Sequence, residues 1–271
     1  MKIGVFDSGF GGLNVFRYIS DELNEYDLVY LGDTARTPYG NRSQETVYEY
    51  TRQGIEFLFQ KGCSLVILAC NTASAEALRK IQQEFLPEKY PDKHVLGVLI
   101  PVAEVVENIT KNKRVGVLAT DSTISSGAYN REIYKIDKDI QVFGQSAPLL
   151  VPIIESGETD EEIISSALEN YLTPLVEKDV DTIVLGCTHY GILKDKISET
   201  LEKLGSSATI ISGEKVIAIK LKDYLLRHPE IKKELKKNSK REFYTTDQDE
   251  KFDAFGTKIF GTDIQSVRVS I

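Results

Sequence analysis

Two cysteines follow similar short apolar runs, one in each half of the chain. The first run, residues 65–69, precedes Cys70, and the second, residues 182–186, precedes Cys187. Aliphatic runs of this kind are typical of strands buried on both faces of a parallel sheet. Polar residues follow each cysteine and predict a turn into a helix, because Asn, Thr and Ser cap helix N-termini. We therefore expect both thiols at the carboxyl ends of parallel strands, where open α/β sheets bind ligands.

The predicted position of the two thiols suggests reactivity. A helix N-terminus lowers the pKa of a thiol from ~8.5 toward neutrality, and we expect this of both cysteines. Two such thiols could bind a metal ion, form a redox pair or transfer protons. Cys70, Cys187 and His189 would supply only three metal ligands, without C-x-x-C or H-x-x-x-H spacing. A redox pair normally has its resolving cysteine in the same motif, which does not describe these two.

Proton transfer suits the two cysteines better. Removing a proton from one face of a carbon atom and returning one to the other face requires acid/base groups on opposite sides. Two domains that each place a thiol at a strand end would supply that geometry. Asp7, at the end of the first predicted strand, and His189, just beyond Cys187, could assist the two thiols. We interpret the cysteines as a candidate pair of acid/base groups.

The first predicted strand, residues 2–6, leads into a glycine-rich loop and a helix at 13–23. Asn14 stands where a dinucleotide-binding fingerprint has its third glycine, so we expect no nucleotide cofactor. Glycines in this loop let the backbone approach a small ligand and leave N–H groups available for an anion. A plain strand-to-helix turn explains the glycines but not the acidic Asp7.

Periodicity and turn residues predict the elements that follow. We expect strands at 26–31, 95–100, 141–144 and 182–185, helices at 44–61, 74–85, 161–176 and 193–204, and a loop at 87–91. Pro101 is predicted at the first position of the helix after the 95–100 strand. In the long loop at 32–40 we expect Arg36 to pair with Asp33 as scaffold, and we interpret Cys63 as structural.

The last third of the chain is predicted to return to the first sheet. A helix is expected at 214–226, and a second helix, opened by Pro229, has a lysine-rich face that we expect to be solvated. Strands are expected at 242–246 and 266–269. Two isolated strands would be marginally stable, so these strands must join an existing sheet.

The sequence pattern restarts near the middle of the chain. Residues 114–120 echo residues 2–8, and the second cysteine run echoes the first in the same order and at nearly the same spacing. The repeat predicts an α/β fold of two pseudosymmetric domains, each a mostly parallel sheet flanked by helices, with the active site between them. We expect a discontinuous first domain, residues 1–97 plus 212–271, and a second domain, residues 98–211.

Composition limits the classes of protein to consider. The chain has 271 residues, of which 41% are hydrophobic and 27% charged, as in ordinary soluble globular proteins. Its net charge of −8 argues against a nucleic-acid partner or an anionic membrane surface. No apolar run approaches the ~20 residues that cross a bilayer, and the N-terminus lacks a signal-peptide core. Three cysteines without C-x-x-C are typical of a reducing cytoplasm, where we expect the protein.

Several strings along the chain carry a resemblance to a known family. They are Phe6-Asp7-Ser8-Gly9-x-Gly11-Gly12, Leu31-Gly32-Asp33-x-x-Arg36-x-Pro38-Tyr39-Gly40, Ala69-Cys70-Asn71-Thr72-Ala73, Ser126-Gly127-Ala128-Tyr129, Val151-Pro152-x-x-Glu155 and Gly186-Cys187-Thr188-His189-Tyr190. They cover nearly the whole length in order. With them the chain resembles glutamate racemases, cofactor-independent enzymes that supply D-glutamate for peptidoglycan and so for cell-wall biogenesis and cell shape.

The resemblance implies a role for each matching residue. Cys70 and Cys187 would be the two acid/base groups, with Asp7 assisting the first, His189 assisting the second and Glu155 orienting His189. The substrate would be held by Asp7, Ser8, Tyr39, Gly40, Asn71, Thr72, Thr123, Thr188 and His189. The resemblance implies glutamate as the substrate, no cofactor, no metal ion and a homodimer.

The chain departs from the family pattern at two positions. Many members carry Pro where this chain has Gly191, and many carry Gly where it has Ala119. The first change would loosen the turn behind His189. Neither change removes a catalytic atom.

Two alternatives to a glutamate racemase stay open. A racemase of another acidic amino acid, such as aspartate, would keep both cysteines but recognise a shorter side chain. A non-catalytic protein on the same fold would bind a small molecule and use the thiols structurally. Turnover of glutamate, turnover of aspartate, or tight binding without turnover would distinguish the three.

Overall fold

All the strands in the part of the chain that the structure describes belong to two parallel sheets. The computed structural model describes residues 1–247 and 250–271. The strands are β1 Lys2–Asp7, β2 Leu28–Gly32, β3 Cys63–Leu68, β4 His94–Gly97, β5 Arg114–Ala119, β6 Gln141–Ser146, β7 Thr182–Gly186, β8 Thr209–Ser212, β9 Arg241–Thr245 and β10 Ser266–Arg268. Each pairs with its neighbours in the parallel sense.

The order of strands is the same in the two sheets. The first runs β10-β9-β2-β1-β3-β4 and the second β6-β5-β7-β8, so β2-β1-β3-β4 corresponds to β6-β5-β7-β8. This correspondence pairs β1 with β5 and the two cysteine-bearing strands, β3 and β7, with each other. The predicted α/β fold with two related, mostly parallel sheets is confirmed. The two late strands β9 and β10 extend the first sheet beyond β2, as expected.

Helices flank both sheets. They are α1 Leu13–Glu22, α2 Gln44–Gln60, α3 Asn71–Glu76, α4 Leu78–Lys80, α5 Leu86–Lys89, α6 Leu99–Ile109, α7 Asp121–Ser125, α8 Ala128–Ile136, α9 Leu150–Ser156, α10 Glu161–Val176, α11 Lys194–Lys203, α12 Glu214–Arg227, α13 Pro229–Glu234 and α14 Glu250–Phe260. Short 3₁₀ turns lie at Thr34–Arg36 and Tyr190–Leu193, and a π-helical turn lies at Ile81–Phe85. No helix among the described residues is long and apolar enough to cross a membrane.

An apolar cluster with residues from both sheets joins the two halves. β3 and β7 are buried along their whole length, which explains their unbroken aliphatic sequences. The largest apolar cluster contains residues from β1 and β5 together with the buried faces of α6 and α12. The sheets are therefore held at a shared apolar layer. The domain boundaries at residues 97/98 and 211/212 stay a prediction, and β8 extends across the second of them.

Some predicted boundaries were wrong. The strand expected at 95–100 ends at Gly97, and α6 begins at Leu99, so that Pro101 is its third residue. Proline is tolerated there because first-turn N–H groups have no partner within the helix. The helix expected at 74–85 begins earlier, at Asn71, and is interrupted. Helical structure then continues to Lys89 into the predicted 87–91 loop, because buried Phe85 and Leu86 hold this segment against the core.

The elements that were not predicted include β8 and α14. β8 has only four residues, Thr-Ile-Ile-Ser, which is too short for a periodic pattern. α14 contains Gly256 in its interior, and glycine lowers helix propensity by about 1 kcal/mol relative to alanine. Packing stabilises this helix instead, since Phe252 is fully buried against Tyr30.

Candidate active site

The two cysteines meet at one small cavity between the sheets. Cys70 follows β3 and Cys187 follows β7, with 5% and 9% of their surface exposed. The cavity has a volume of about 20 Å³. Most of the residues predicted for the site line it: Ser8, Tyr39, Gly40, Cys70, Asn71, Thr72, Cys187, Thr188 and His189. The carboxyl ends of both sheets therefore bring the sequence-predicted residues together.

Cys70 lies in a dry, acidic environment. Its Sγ accepts a hydrogen bond from the Ala73 N–H at 3.4 Å and lies 3.3 Å from Ser8 Oγ. Burial, followed by the negative charge of Asp7, raises the pKa of Cys70 to about 12. The expectation of a thiol pKa near neutrality at Cys70 was therefore wrong. The six-residue helix α3 offers a weak dipole, which does not offset the removal of water.

Cys187 is followed by a different local structure. The chain turns through Thr188 and His189 into the 3₁₀ turn Tyr190–Leu193, and an α-helix begins only at Lys194. Cys187 Sγ lies 3.8 Å from His189 Nδ1. This thiol therefore has an imidazole, rather than an α-helix N-terminus, as its polar neighbour.

Gly191 permits close packing behind His189. A Cβ atom at Gly191 would overlap the carboxylate of Glu214 and would lie 3.2 Å from Ser212 Oγ. Ser212 Oγ donates a hydrogen bond to the same carboxylate. The absence of a side chain at this position therefore leaves space that Glu214 fills.

His189 is held in a position that favours its protonated form. Its side chain is 2% exposed, and Nε2 lies 2.9 Å from Glu155 Oε1. Burial opposes the positive charge, but hydrogen bonds to Cys187 and Glu155 and the negative charge of Asp7 outweigh it and raise the pKa of His189 to about 10. An imidazolium at this place can exchange a proton with Cys187 through one hydrogen bond.

Asp7 connects the two halves. It is fully buried, and Oδ1 accepts from the Gly9 N–H at 3.0 Å while Oδ2 accepts from Thr188 Oγ1 at 3.2 Å. Burial raises the pKa of Asp7, against the positive charge of His189 and these hydrogen bonds. Asp7 acts on Cys70 through its charge, and Ser8 provides the hydrogen bond to that thiol.

A cluster of threonines closes another side of the cavity. Thr72 Oγ1 lies 2.9 Å from Thr120 Oγ1 and 3.3 Å from Thr123 Oγ1, so the contact joins α3 to the segment after β5. Thr120 lines the cavity, and Thr123, a predicted substrate contact, lies behind it. Tyr39 lines the cavity too, although its hydroxyl donates to Asp33.

Sequence reasoning missed four residues that line the cavity: Thr37, Pro38, Thr120 and Val151. A signal for Thr120 was present, because residues 114–120 echo residues 2–8 and Thr120 corresponds to Ser8. Thr37 had no such signal. Its loop has the predicted scaffold, with Arg36 Nε donating to Asp33 Oδ2 at 2.7 Å. Within residues 1–247 and 250–271, no three His, Cys, Asp or Glu side chains form a group suited to a metal ion.

Comparisons with known proteins by sequence and by fold both find similarity to racemases. The chain matches the family model described as Asp/Glu/Hydantoin racemase over residues 12–218. It is 39% identical to the glutamate racemase of Persephonella marina over 271 residues, which cover 100% of this chain and 98% of that protein. A crystal structure of a glutamate racemase isoform from Bacillus anthracis is similar with a TM-score of 0.89 and 33% identity, covering 100% of this chain and 97% of that one. A glutamate racemase from Francisella tularensis in complex with D-glutamate gives a TM-score of 0.87, 32% identity and coverages of 99% and 97%.

Proposed function

We propose that this chain, which belongs to the Asp/Glu/hydantoin racemase family and is an amino-acid racemase, interconverts L- and D-glutamate. Its relatives of 36–41% identity are glutamate racemases, which supports glutamate over aspartate. The observation that carries the proposal is the meeting of Cys70 and Cys187, one from each sheet, at one buried cavity. The D-glutamate formed would supply cytoplasmic peptidoglycan synthesis.

The proposed reaction uses the two thiols as acid and base on opposite faces of Cα. The thiolate of one cysteine takes the proton from Cα, and the electron pair of the C–H bond remains on carbon, delocalised into the carboxylate. The thiol of the other cysteine then gives its proton to the opposite face. The family resemblance implies that Cys187 accepts the proton of the L isomer and Cys70 that of the D isomer.

The surroundings of each sulfur support this assignment. Cys70, with a pKa raised to about 12 by burial and by Asp7, rests as a thiol ready to donate a proton. Cys187 lies beside His189, whose imidazolium is hydrogen-bonded to Glu155 and can donate a hydrogen bond to the thiolate of Cys187. Starting from L-glutamate, Cys70 is therefore in the protonated form that donates to the opposite face of Cα.

Substrate would be held by the polar groups that line the cavity. Ser8, Asn71, Thr72 and Thr188 offer hydroxyl and amide groups for the ammonium and carboxylate groups, and the Gly40 segment offers backbone atoms. A cavity of about 20 Å³ has room for roughly one water-sized molecule, far less than a glutamate needs. We expect glutamate to enter a more open arrangement of the two halves, and closure around it would exclude water.

Isotope exchange tests the two-base reaction. In deuterated solvent, we expect the product isomer to gain deuterium at Cα from the second thiol, while recovered starting isomer stays mostly protiated at early times. Cys70→Ser and Cys187→Ser should each almost abolish racemisation, because a serine hydroxyl gives up its proton far less readily than a cysteine thiol and so cannot replace it as acid and base. Cys63→Ser is the matched control, since Cys63 is buried in β3 outside the cavity, and should retain activity.

Other outcomes would contradict the proposal. Equal deuterium in both isomers from the first turnovers would mean that one residue serves both faces. Turnover of aspartate but not glutamate would favour an aspartate racemase. Tight binding without turnover would favour a non-catalytic binding protein on the same fold. The family resemblance also supports a homodimer, which sedimentation velocity of the purified protein would test directly.

A further inference from the structure

Thr37 lies where the two halves meet at Glu155. Its Oγ1 donates a hydrogen bond to Glu155 Oε1 at 3.3 Å, the same oxygen that lies 2.9 Å from His189 Nε2. Thr37 belongs to the loop after β2 in the first sheet, and Glu155 to α9 beside the second. The contact therefore crosses between the halves and ends on the carboxylate that holds the imidazole.

The surroundings leave this group little freedom. A Cβ atom at Gly9 would lie 3.1 Å from Glu155 Oε1, 3.4 Å from Thr37 Oγ1 and 3.6 Å from His189 Cε1, so the Gly9 backbone packs against all three side chains. Two donors on one carboxylate oxygen restrict the rotation of the Glu155 side chain. The orientation of Glu155 is thus set jointly by both halves.

The residues on either side of Thr37 are anchored in the first half. On one side of it, Arg36 donates to Asp33 at 2.7 Å and stacks over the Tyr50 ring at 4.2 Å. On the other side, the Tyr39 hydroxyl donates to the same carboxylate of Asp33. A residue whose two neighbours are held in this way has a restricted backbone and can position its partner more accurately.

We propose that Thr37 is a positioning residue for the Cys187 side of the reaction, acting through Glu155 to hold His189 against Cys187. This inference rests on the proposed two-cysteine racemisation. In that reaction, closure of the two halves completes a chain of contacts from Thr37 through Glu155 and His189 to Cys187. His189, which assists Cys187, is therefore fully oriented only when the cavity is closed. Cys70, which is hydrogen-bonded to Ser8, lies outside this chain of contacts.

Thr37→Val removes the hydroxyl at nearly constant volume. Loss of one hydrogen bond to a partly buried carboxylate should lower kcat by about 5-fold and leave KM within about 2-fold. Thr37→Ser retains a hydroxyl and should restore most of the rate. Thr34→Val is the matched control, because Thr34 lies in the same loop and its hydroxyl bonds to Thr245 at 2.6 Å within the first half.

Primary isotope effects distinguish a loss of His189 positioning from a general loss of protein structure. Slowing the Cys187 step makes it more rate-limiting, so the isotope effect with α-deuterated L-glutamate should rise and that with α-deuterated D-glutamate should fall. The equilibrium constant fixes the ratio of kcat/KM for the two isomers, so a variant cannot change that ratio. The opposite changes in the two isotope effects therefore identify the affected step more selectively than kcat/KM does. The control Thr34→Val should leave both isotope effects unchanged.

A double-mutant cycle with Glu155→Gln completes the test. If Thr37 acts through Glu155, Thr37→Val should have a much smaller effect in the Glu155→Gln background than in the wild type. Equal effects of Thr37→Val in both backgrounds would overturn the inference. A raised KM with unchanged isotope effects would also overturn it, because Thr37 would then be a substrate contact. Thr37→Ala serves the same purpose if circular dichroism shows that the valine variant is unfolded.

The order of measurements distinguishes this inference from the proposed function. Wild-type turnover of both glutamate isomers is measured first, and its absence would defeat the proposed function. Normal turnover in the wild type, with Thr37→Val indistinguishable from wild type in kcat and in both isotope effects, would defeat only the role of Thr37.

Discussion

Cys70 and Cys187 occupy corresponding positions but have unlike surroundings. Cys70 lies near the negative charge of Asp7, and Cys187 lies 3.8 Å from an imidazole whose pKa is raised to about 10. The repeat in the sequence gives both thiols the same place at a strand end, whereas their neighbours differ in charge. A racemase must treat the two faces of Cα separately, and this asymmetry gives each sulfur a different electrostatic environment.

The raised pKa of His189 predicts a pH-dependent contribution to stability. The folded pKa of about 10 exceeds the ordinary value of 6.5, so protonation stabilises the native state. This contribution is fully present below about pH 6.5 and is lost as pH rises through about 10. We expect the stability advantage of wild type over His189→Asn in urea unfolding to shrink across this range. An advantage that stays constant from pH 6.5 to above 10 would contradict the assignment.

The glycine-rich loop before α1 packs directly on Thr188 and His189 of the other half. A Cβ atom at Gly11 would lie 2.7 Å from His189 Nδ1 and 2.8 Å from Thr188 Oγ1. Nδ1 is the atom that faces Cys187 Sγ. The glycine-rich loop before α1 therefore allows this close approach, which a side chain at residue 11 would prevent.

Gly11→Ala should separate the two halves at the site. Misplacement of a catalytic group by about 1 Å can lower the rate by about 100-fold, and we expect a loss of kcat of that order in a folded protein. Gly62→Ala is the control, because Gly62 has a φ of +85° and a Cβ atom there would meet nothing within 4 Å. It should lower the thermal midpoint through backbone strain and leave kcat unchanged. Near-normal kcat in Gly11→Ala, measured alongside circular dichroism, would refute this role.

Polar contacts keep the two halves closed over the thiols. The Ser122 N–H donates to the Gly40 carbonyl at 3.0 Å, and Ser122 Oγ donates to the Arg42 carbonyl at 3.1 Å. With the Thr188–Asp7 bond, these contacts link loops of the first half to turns of the second. Each of these bonds is individually weak, since a hydrogen bond contributes about 1 kcal/mol net. Opening for substrate entry would break them together with the Thr72–Thr120 and Thr37–Glu155 bonds.

Ser122→Ala should make the thiols more accessible. We expect iodoacetamide to modify Cys70 and Cys187 roughly 3- to 5-fold faster in this variant, because one bond across the halves is lost. Ser125→Ala is the matched control, since the Ser125 hydroxyl bonds within α7 to the Ser122 carbonyl. Peptide mass spectrometry measures each site, with fully buried Cys63 as an internal reference. Equal acceleration at Cys63 would indicate global unfolding, and unchanged rates at all sites would refute local opening.

The sequence alone determined the strand ends that carry the two cysteines, the repeat that relates the halves, and most of the residues that line the cavity. These follow from local patterns, because an aliphatic run and the polar residues after it lie next to each other in the chain. The return of residues 241–268 to the first sheet could also be predicted, since isolated strands are unstable.

Only the tertiary structure decided which neighbour each thiol obtains. The pairing of Thr37 with Glu155 and of Asp7 with Thr188 joins residues far apart in the chain, and no local pattern encodes such contacts. The pKa of Cys70 was mispredicted for the same reason. A helix N-terminus is visible in the sequence, but the loss of water and the approach of Asp7 arise only when distant segments pack together, and at Cys70 these outweigh the helix.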